Sequence, residues 1–268
     1  MTGDAARVAT LVGAAASTQA MVWITGPRGV GKTRAVRRAL ETQDIPLVEP
    51  LRLDRENLHL GDIQAAIVRD LSDETLRRSG EARSGQVRRI LGTVRRPPVL
   101  FIDESHALHH AAVRGLKRLR ELSWLNRPAP LLGIVLAGQR EPSARMAEVT
   151  LRSARLTMAG LSREEAGRAV ADALNRKGRV IGFAALKHLS GDDRARNWLD
   201  LQQLVDAAIA LALARGLDQI DDDVAAAVVG AVARTQASAP APAPKPAAPS
   251  DEAVSAVLGR QGAAAASA

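Results

Sequence analysis

Apolar positions along the chain fall into two patterns. Met21-Val22-Trp23-Ile24, Val99-Leu100-Phe101-Ile102 and Leu131-Leu132-Gly133-Ile134-Val135-Leu136-Ala137 are runs without polar alternation, which suits strands buried on both faces of a parallel sheet. Ile45-Pro46-Leu47-Val48 and Arg155-Leu156-Thr157-Met158 read as two shorter strands. Between these runs the apolar residues recur at helical spacing. Val8, Leu11, Val12 and Ala15 predict a helix over 2–20, and others are expected over 34–40, 63–71, 83–94, 112–123 and 146–153. Pro97 and Pro98 stop the 83–94 helix. Beyond Leu161 strands cease. Ser162 is placed to cap a helix over 163–175, with Glu165 at the capping-box position, and helices over 183–189, 198–215 and 222–234 follow. The order predicts an α/β domain over 1–160 and a small all-helical domain over 161–235. An Ala/Pro linker over 236–250 cannot pack and should be extended. The tail over 251–268 has room for a short helix at 251–258 and is otherwise expected to be disordered.

Composition narrows the function. The 268 residues contain no cysteine, which excludes a disulfide framework and a thiolate metal site. No apolar run approaches the ~20 residues that span a bilayer, and Met1-Thr2-Gly3-Asp4 does not open a secretory signal, so a cytoplasmic protein without a membrane partner is expected. The length cannot hold a tandem of helicase motors. Lysine plus arginine number 37 against 29 aspartate plus glutamate, a formal charge of +8, which favours a polyanionic partner. Charge alone is weak evidence, because arginine-rich faces are often only solvated. Cations that could meet a phosphate backbone are Arg52, Arg55, Arg88, Arg89, Arg114, Lys117 and Arg118.

Specific chemistry begins directly after the first strand. Gly26-Pro27-Arg28-Gly29-Val30-Gly31-Lys32-Thr33 is a complete G-x-x-x-x-G-K-T phosphate loop. Its glycines allow successive amides to face one anion, Lys32 adds a point charge for the β and γ phosphates, and Thr33 offers a hydroxyl to Mg2+. A chance glycine-rich turn is the weaker reading, since strand, loop and helix follow in the order that ATP binding requires. The apolar run at 99–102 ends in Asp103-Glu104: Asp103 is suited to hold Mg2+ and Glu104 to orient and deprotonate the attacking water. The run at 131–137 ends in Gly138-Gln139, which brings an amide to the same sheet edge. His106, His109 and His110 have an H-x-x-H spacing but no further Cys or His nearby to complete a metal site.

Taken together, these motifs resemble an AAA+ ATPase over roughly residues 8–234. The details are most similar to the branch that contains the Mu-type phage transposition protein B, the transposon regulator TnsC and the secretion ATPase ExeA. The residues that carry this are Asp103-Glu104-Ser105-His106-Ala107-Leu108, Leu136-Ala137-Gly138-Gln139-Arg140-Glu141, and Leu151-Arg152-Ser153-Ala154-Arg155-Leu156 ahead of Gly160-Leu161-Ser162. The resemblance implies that Gln139 is the sensor-1 group. It implies that Arg155, just before the last strand, is an arginine finger acting on a neighbouring subunit's ATP, with Arg152 the competing candidate. It also implies that Arg194, in Gly191-Asp192-Asp193-Arg194-Ala195-Arg196-Asn197, is the sensor-2 arginine, with Arg196 the alternative because the residues before Arg194 depart from the usual pattern. The implied protein is a DNA-transposition ATPase that forms a ring or filament on double-stranded DNA, without sequence preference, and recruits or activates a transposase. Replication initiators, helicase loaders, secretion-type ATPases and ATP-switched signalling modules are the alternatives.

Overall fold

The computed structural model describes residues 2–51, 54, 57–125, 127–140 and 153–237. The expected helix over 146–153 lies outside them except for Ser153, as do Arg52, Arg55, Arg152 and the linker and tail beyond 237.

Five parallel strands form the central sheet: β1 (Met21–Thr25), β2 (Leu47–Val48), β3 (Val99–Ile102), β4 (Gly133–Gly138) and β5 (Ser153–Thr157), in the spatial order β2-β3-β4-β1-β5. The apolar runs of β1, β3 and β4 are explained by burial of every residue in them. Val22, Ile24, Val99, Phe101, Val135 and Ala137 pack on one face against α1 (Gly3–Thr18) and α2 (Lys32–Thr42). Met21, Trp23, Leu100, Ile102, Ile134 and Leu136 pack on the other, against α3 (Leu60–Leu71), α4 (Gly80–Thr93) and α5 (His110–Arg120). At ~1.5–3 kcal/mol for each large apolar side chain buried, these two faces are what fixes the sheet.

Several boundaries differ from the sequence expectation for local reasons. Helix α3 starts earlier, at Leu60, because His59 and Asp62 form a reciprocal capping box. Ser79 caps α4 at Ala82 N, and His109 caps α5 at Ala111 N, so those helices also begin ahead of their apolar stripes. Only Leu47 and Val48 of the second run pair with a neighbour. β5 begins ahead of the expected Arg155, at Ser153, so Arg155 lies inside it, in register with Trp23.

Past Leu161 the fold is helical: α6 (Arg163–Arg176), α7 (Phe183–Gly191), a 3-10 turn at Asp193–Arg196, α8 (Trp198–Ala214) and α9 (Asp222–Ala237). A two-stranded parallel pair, β6 (Val180–Ile181) with β7 (Gln219–Ile220), is added to it. Ser162 Oγ accepts from Glu165 N at 3.2 Å and Glu165 Oε2 accepts from Ser162 N at 2.8 Å, the capping box expected of α6. The backbone N–H of Ser162 holds the Glu165 carboxyl below the usual carboxylate range. A separate apolar core of Leu161, Val170, Leu174, Leu189, Leu204, Val205 and Val224 holds these helices, with small alanines such as Ala166, Ala195 and Ala208 letting them approach closely. The compact unit runs to Val229, and Gly230 onward belongs to a second unit.

The first layer is tightest where α1 crosses β4. A Cβ on Gly133 would sit 2.2 Å from the carbonyl oxygen of Ala15, a backbone atom that cannot swing aside. Gly133→Ala is therefore expected to lower unfolding stability by about 1–3 kcal/mol. Urea denaturation measures this, and an unchanged midpoint would show that α1 does not pack there.

Candidate nucleotide site

The phosphate loop joins the end of β1 to the start of α2. Gly29 and Gly31 adopt φ of 85° and 92°, a region that side-chain-bearing residues avoid, and this turns the chain back sharply. Gly31 is the N-cap of α2 and offers no side-chain acceptor, so the first amides of a long helix point out from the loop. Lys32 follows at once. It is only 6% exposed, and its Nζ donates to the carbonyls of Gly26 at 2.9 Å and Pro27 at 2.8 Å. Burial lowers its pKa from the usual lysine value, while the charges of Glu104 and Asp103 act in the opposite direction.

Helix α2 and the ends of β3 and β4 deliver the remaining groups. Thr33 Oγ1 donates to Asp103 Oδ2 at 2.5 Å, which connects α2 to the end of β3. Glu104 turns the chain with a φ of 52°, and its N–H donates to Asp103 Oδ1 at 2.9 Å. Its side chain is exposed and accepts at Oε2 from Gln139 Nε2, 3.3 Å away at the end of β4. Buried Ser105 donates through Oγ to Ala137 O at 2.8 Å and ties β3's exit to β4. Lys32, Thr33, Asp103, Glu104 and Gln139 thus meet at the C-terminal edge of the sheet, and β4 lies between β3 and β1 in the strand order.

The helical part closes on this loop through two residues that sequence reasoning did not assign. Asn197 Nδ2 donates to Arg28 O at 2.5 Å, and Trp198 N donates to Gly29 O at 3.1 Å. Asn197 also caps α8, accepting from Leu199 N at 2.9 Å. An Asn ahead of a helix was a legible cap signal, but its second bond was not. Trp198 lines two clefts, of about 440 and 460 Å3. The first is also lined by Thr2, Arg34, Met158, Glu165 and Arg168, the second by Lys32, Thr33, Arg176 and Gln202.

The donor set fits a nucleoside triphosphate with Mg2+. A Cβ on Gly29 would lie 2.2 Å from Asn197 Oδ1, so the loop leaves no room for a side chain where its backbone is approached. Thr33 and Asp103 are hard oxygen ligands side by side, of the kind Mg2+ takes.

Other candidates are placed differently. Arg194 Nε and Nη2 bond to Asp192 at 2.8 and 2.7 Å, and Nη2 reaches Val229 O at 3.2 Å. That hydrogen bond with Asp192 raises the arginine's pKa and lowers the aspartate's. Arg196 Nε donates to Leu161 O at 3.3 Å. Neither guanidinium bonds to the phosphate loop here; Asn197 and Trp198 take that place. Arg155 is exposed on β5, at the edge of the sheet. Arg88 Nε is committed to Ser123 O at 2.5 Å, and Arg89 to both carboxylate oxygens of Glu74 at 2.6 Å. Arg114, Lys117 and Arg118 are exposed on α5, where Arg114 and Arg118 border a cleft of about 360 Å3 with His59 and Leu60.

Residues 15–146 match the family model described as an AAA domain. No curated protein matches. Among solved structures, the Thermotoga maritima RuvB Holliday junction branch migration motor is 19% identical, with a TM-score of 0.58 over 84% of this chain and 67% of that one. The Aeropyrum pernix ORC2 protein, solved as ADPNP-ADP complexes, is 16% identical, with a TM-score of 0.59 over 85% of this chain and 67% of that one. Cdc6p from Pyrobaculum aerophilum is 15% identical, with a TM-score of 0.58 over 81% of this chain and 62% of that one. The fold is that of the AAA+ P-loop ATPases. In this AAA+ fold the phosphate loop is held from two sides, by Thr33–Asp103 within the sheet domain and by Asn197 and Trp198 from the helices. No helix among the described residues is long and apolar enough to cross a membrane.

The double role of Asn197 is separable by mutation. Asn197→Ala removes both the cap and the bond to Arg28 O, and should cost about 1 kcal/mol or more. Asn197→Ser keeps an acceptor for the helix but has no amide to reach Arg28 O, so its thermal midpoint should fall between those of wild type and Ala. Equal midpoints for Ser and Ala would deny the cap.

Proposed function

We propose that the chain is an ATPase that hydrolyses ATP to ADP and phosphate and assembles on double-stranded DNA in DNA transposition, where it recruits or activates a transposase. The observation that carries the ATPase reading is the convergence of Lys32, Thr33, Asp103, Glu104 and Gln139 on one sheet edge. In that reading the loop amides and Lys32 bind the phosphates and Glu104 takes a proton from the attacking water. Gln139, already in contact with Glu104, orients the water and the γ phosphate. Mg2+, held by Thr33 and Asp103, supplies neutralisation of phosphate charge. Arg155, on the outer strand, serves as the finger for a neighbouring subunit, with Arg152 the competing candidate. A shared site of that kind makes oligomerisation depend on nucleotide.

The step to transposition rests on the resemblance at Asp103–Leu108 and Leu136–Glu141 and on the +8 charge. For DNA contact, α5 is favoured over α4. Arg88 and Arg89 of α4 are engaged in internal bonds, whereas α5 exposes Arg114 and Arg118 and contains no carboxylate from His110 to Arg120. One subunit offers few phosphate contacts, so binding should be oligomeric and strongly salt-dependent. A replication-initiator or helicase-loader role is the second reading, favoured by the likeness to ORC2 and Cdc6p.

Glu104→Gln should still bind ATP while its hydrolysis falls about 10²-fold or more. Steady-state ATPase assays beside equilibrium nucleotide binding check this, and wild-type turnover in the variant would remove Glu104 from the mechanism. Fluorescence anisotropy on two unrelated duplexes, with ATP and with ADP over a salt series, tests the DNA reading. Binding should require ATP and be alike on both duplexes. The Arg114→Ala/Arg118→Ala double variant should flatten the salt slope by about one unit for each cation per subunit. A strong preference for one duplex would favour the initiator reading, and no binding to either would remove DNA as the partner.

A further inference from the structure

His106 is not absorbed by the roles above, although it stands between two groups that carry them. It belongs to the 3-10 turn Ser105–Ala107, which is pressed under the end of β4. Ser105 Oγ is bonded to Ala137 O at 2.8 Å, and a Cβ on Gly138 would lie 3.2 Å from His106 N. This close approach leaves the His106 side chain only 16% exposed. The other two histidines of the segment turn elsewhere: His109 caps α5, and the rings of His109 and His110 lie 3.9 Å apart.

The imidazole Nδ1 faces two partners. It accepts from the backbone N–H of Gln139 at 3.4 Å and stands 3.5 Å from Glu104 Oε2, the oxygen to which Gln139 Nε2 donates at 3.3 Å. One nitrogen cannot accept from an N–H and donate to a carboxylate at once. Accepting from Gln139 N fixes the tautomer with the proton on Nε2, and leaves Glu104 to the Gln139 side chain.

We propose that His106 is a positioning residue for ATP hydrolysis: by accepting from the Gln139 backbone N–H it holds the end of β4 so that the Gln139 amide stays on Glu104. The inference rests on the ATPase reading. In this role His106 acts through Gln139 rather than directly on phosphate or water. Its loss frees the end of β4, misplaces the amide and the base together, and leaves the phosphate loop untouched. The chemical step is weakened while nucleotide affinity is not.

The test compares full-length wild type with His106→Leu, His106→Asn and Gln139→Ala, each alone, and with the His106→Leu/Gln139→Ala double variant. Steady-state kinetics with Mg-ATP and thermal melts accompany each. His106→Leu, which keeps bulk but has no acceptor, should lower kcat about 10-fold with KM for ATP within about 2-fold of wild type. His106→Asn, with Oδ1 in place of Nδ1, should recover most of that loss. The double variant should be no slower than Gln139→Ala alone, because the histidine works through the glutamine. Wild-type kcat in His106→Leu, equal loss in the Leu and Asn variants, or additive losses in the double variant would overturn the proposal. Absence of turnover in wild type would instead overturn the ATPase reading. Imidazole 15N spectra of wild type, read without turnover, should give the Nε2–H tautomer for His106, and the Nδ1–H tautomer would also refute the assignment.

Discussion

The hydrogen bond from Thr33 to Asp103 is the contact on which the rest of the site depends. It spans two elements seventy residues apart in the chain and joins the first turn of α2 to the end of β3. Thr33 is placed because Gly31 starts α2 in a left-handed conformation, and Asp103 because four buried apolar residues run β3 into the sheet. Both placements follow from the layered core, in which odd and even residues of each strand pack against different sets of helices. The local chemistry is thus a consequence of burial on two faces, and the polar residues at the strand ends are where that burial stops.

A second dependence runs through the helical part. Its core is built largely from alanines and medium aliphatic side chains, and it touches the phosphate loop by backbone and amide bonds at Asn197 and Trp198. Few hydrogen bonds join it to the loop. Each such bond contributes on the order of 1 kcal/mol. The guanidinium of Arg194 is held within the helical part by Asp192, so in this arrangement it supports the 3-10 turn that carries Asn197.

The α/β fold class was legible because its cause is local in sequence: uninterrupted apolar runs in β1, β3 and β4, a glycine loop after the first, and carboxylates after the second. Helix starts were less legible. Leu60 and His110 begin helices because of caps at His59 and His109, and histidine is a weak cap signal. The start of β5 was also hard to read, since polar Ser153 on an edge strand looks like a residue before the strand. Of the site, the members carried by motifs were named from sequence, and the geometry gathers Lys32, Thr33, Asp103, Glu104 and Gln139. Contacts made by backbone atoms were invisible: Arg28 O to Asn197, Gly29 O to Trp198, and Gln139 N to His106 depend on tertiary approach that no spacing encodes. The same is true of which arginines are already engaged, as Arg88 and Arg89 are.

On the proposed reading, one loop, gripped by the sheet edge and by the start of α8, binds nucleotide, and its two sides should then respond together. Hydrogen–deuterium exchange of the full chain with and without Mg-ATP tests it most directly. Slower exchange is expected at the amides of Gly29 to Arg34 and, in the same titration, at those of Asn197 to Leu199. Unchanged exchange in the phosphate loop at saturating nucleotide, or protection there with none at Asn197 to Leu199, would contradict it.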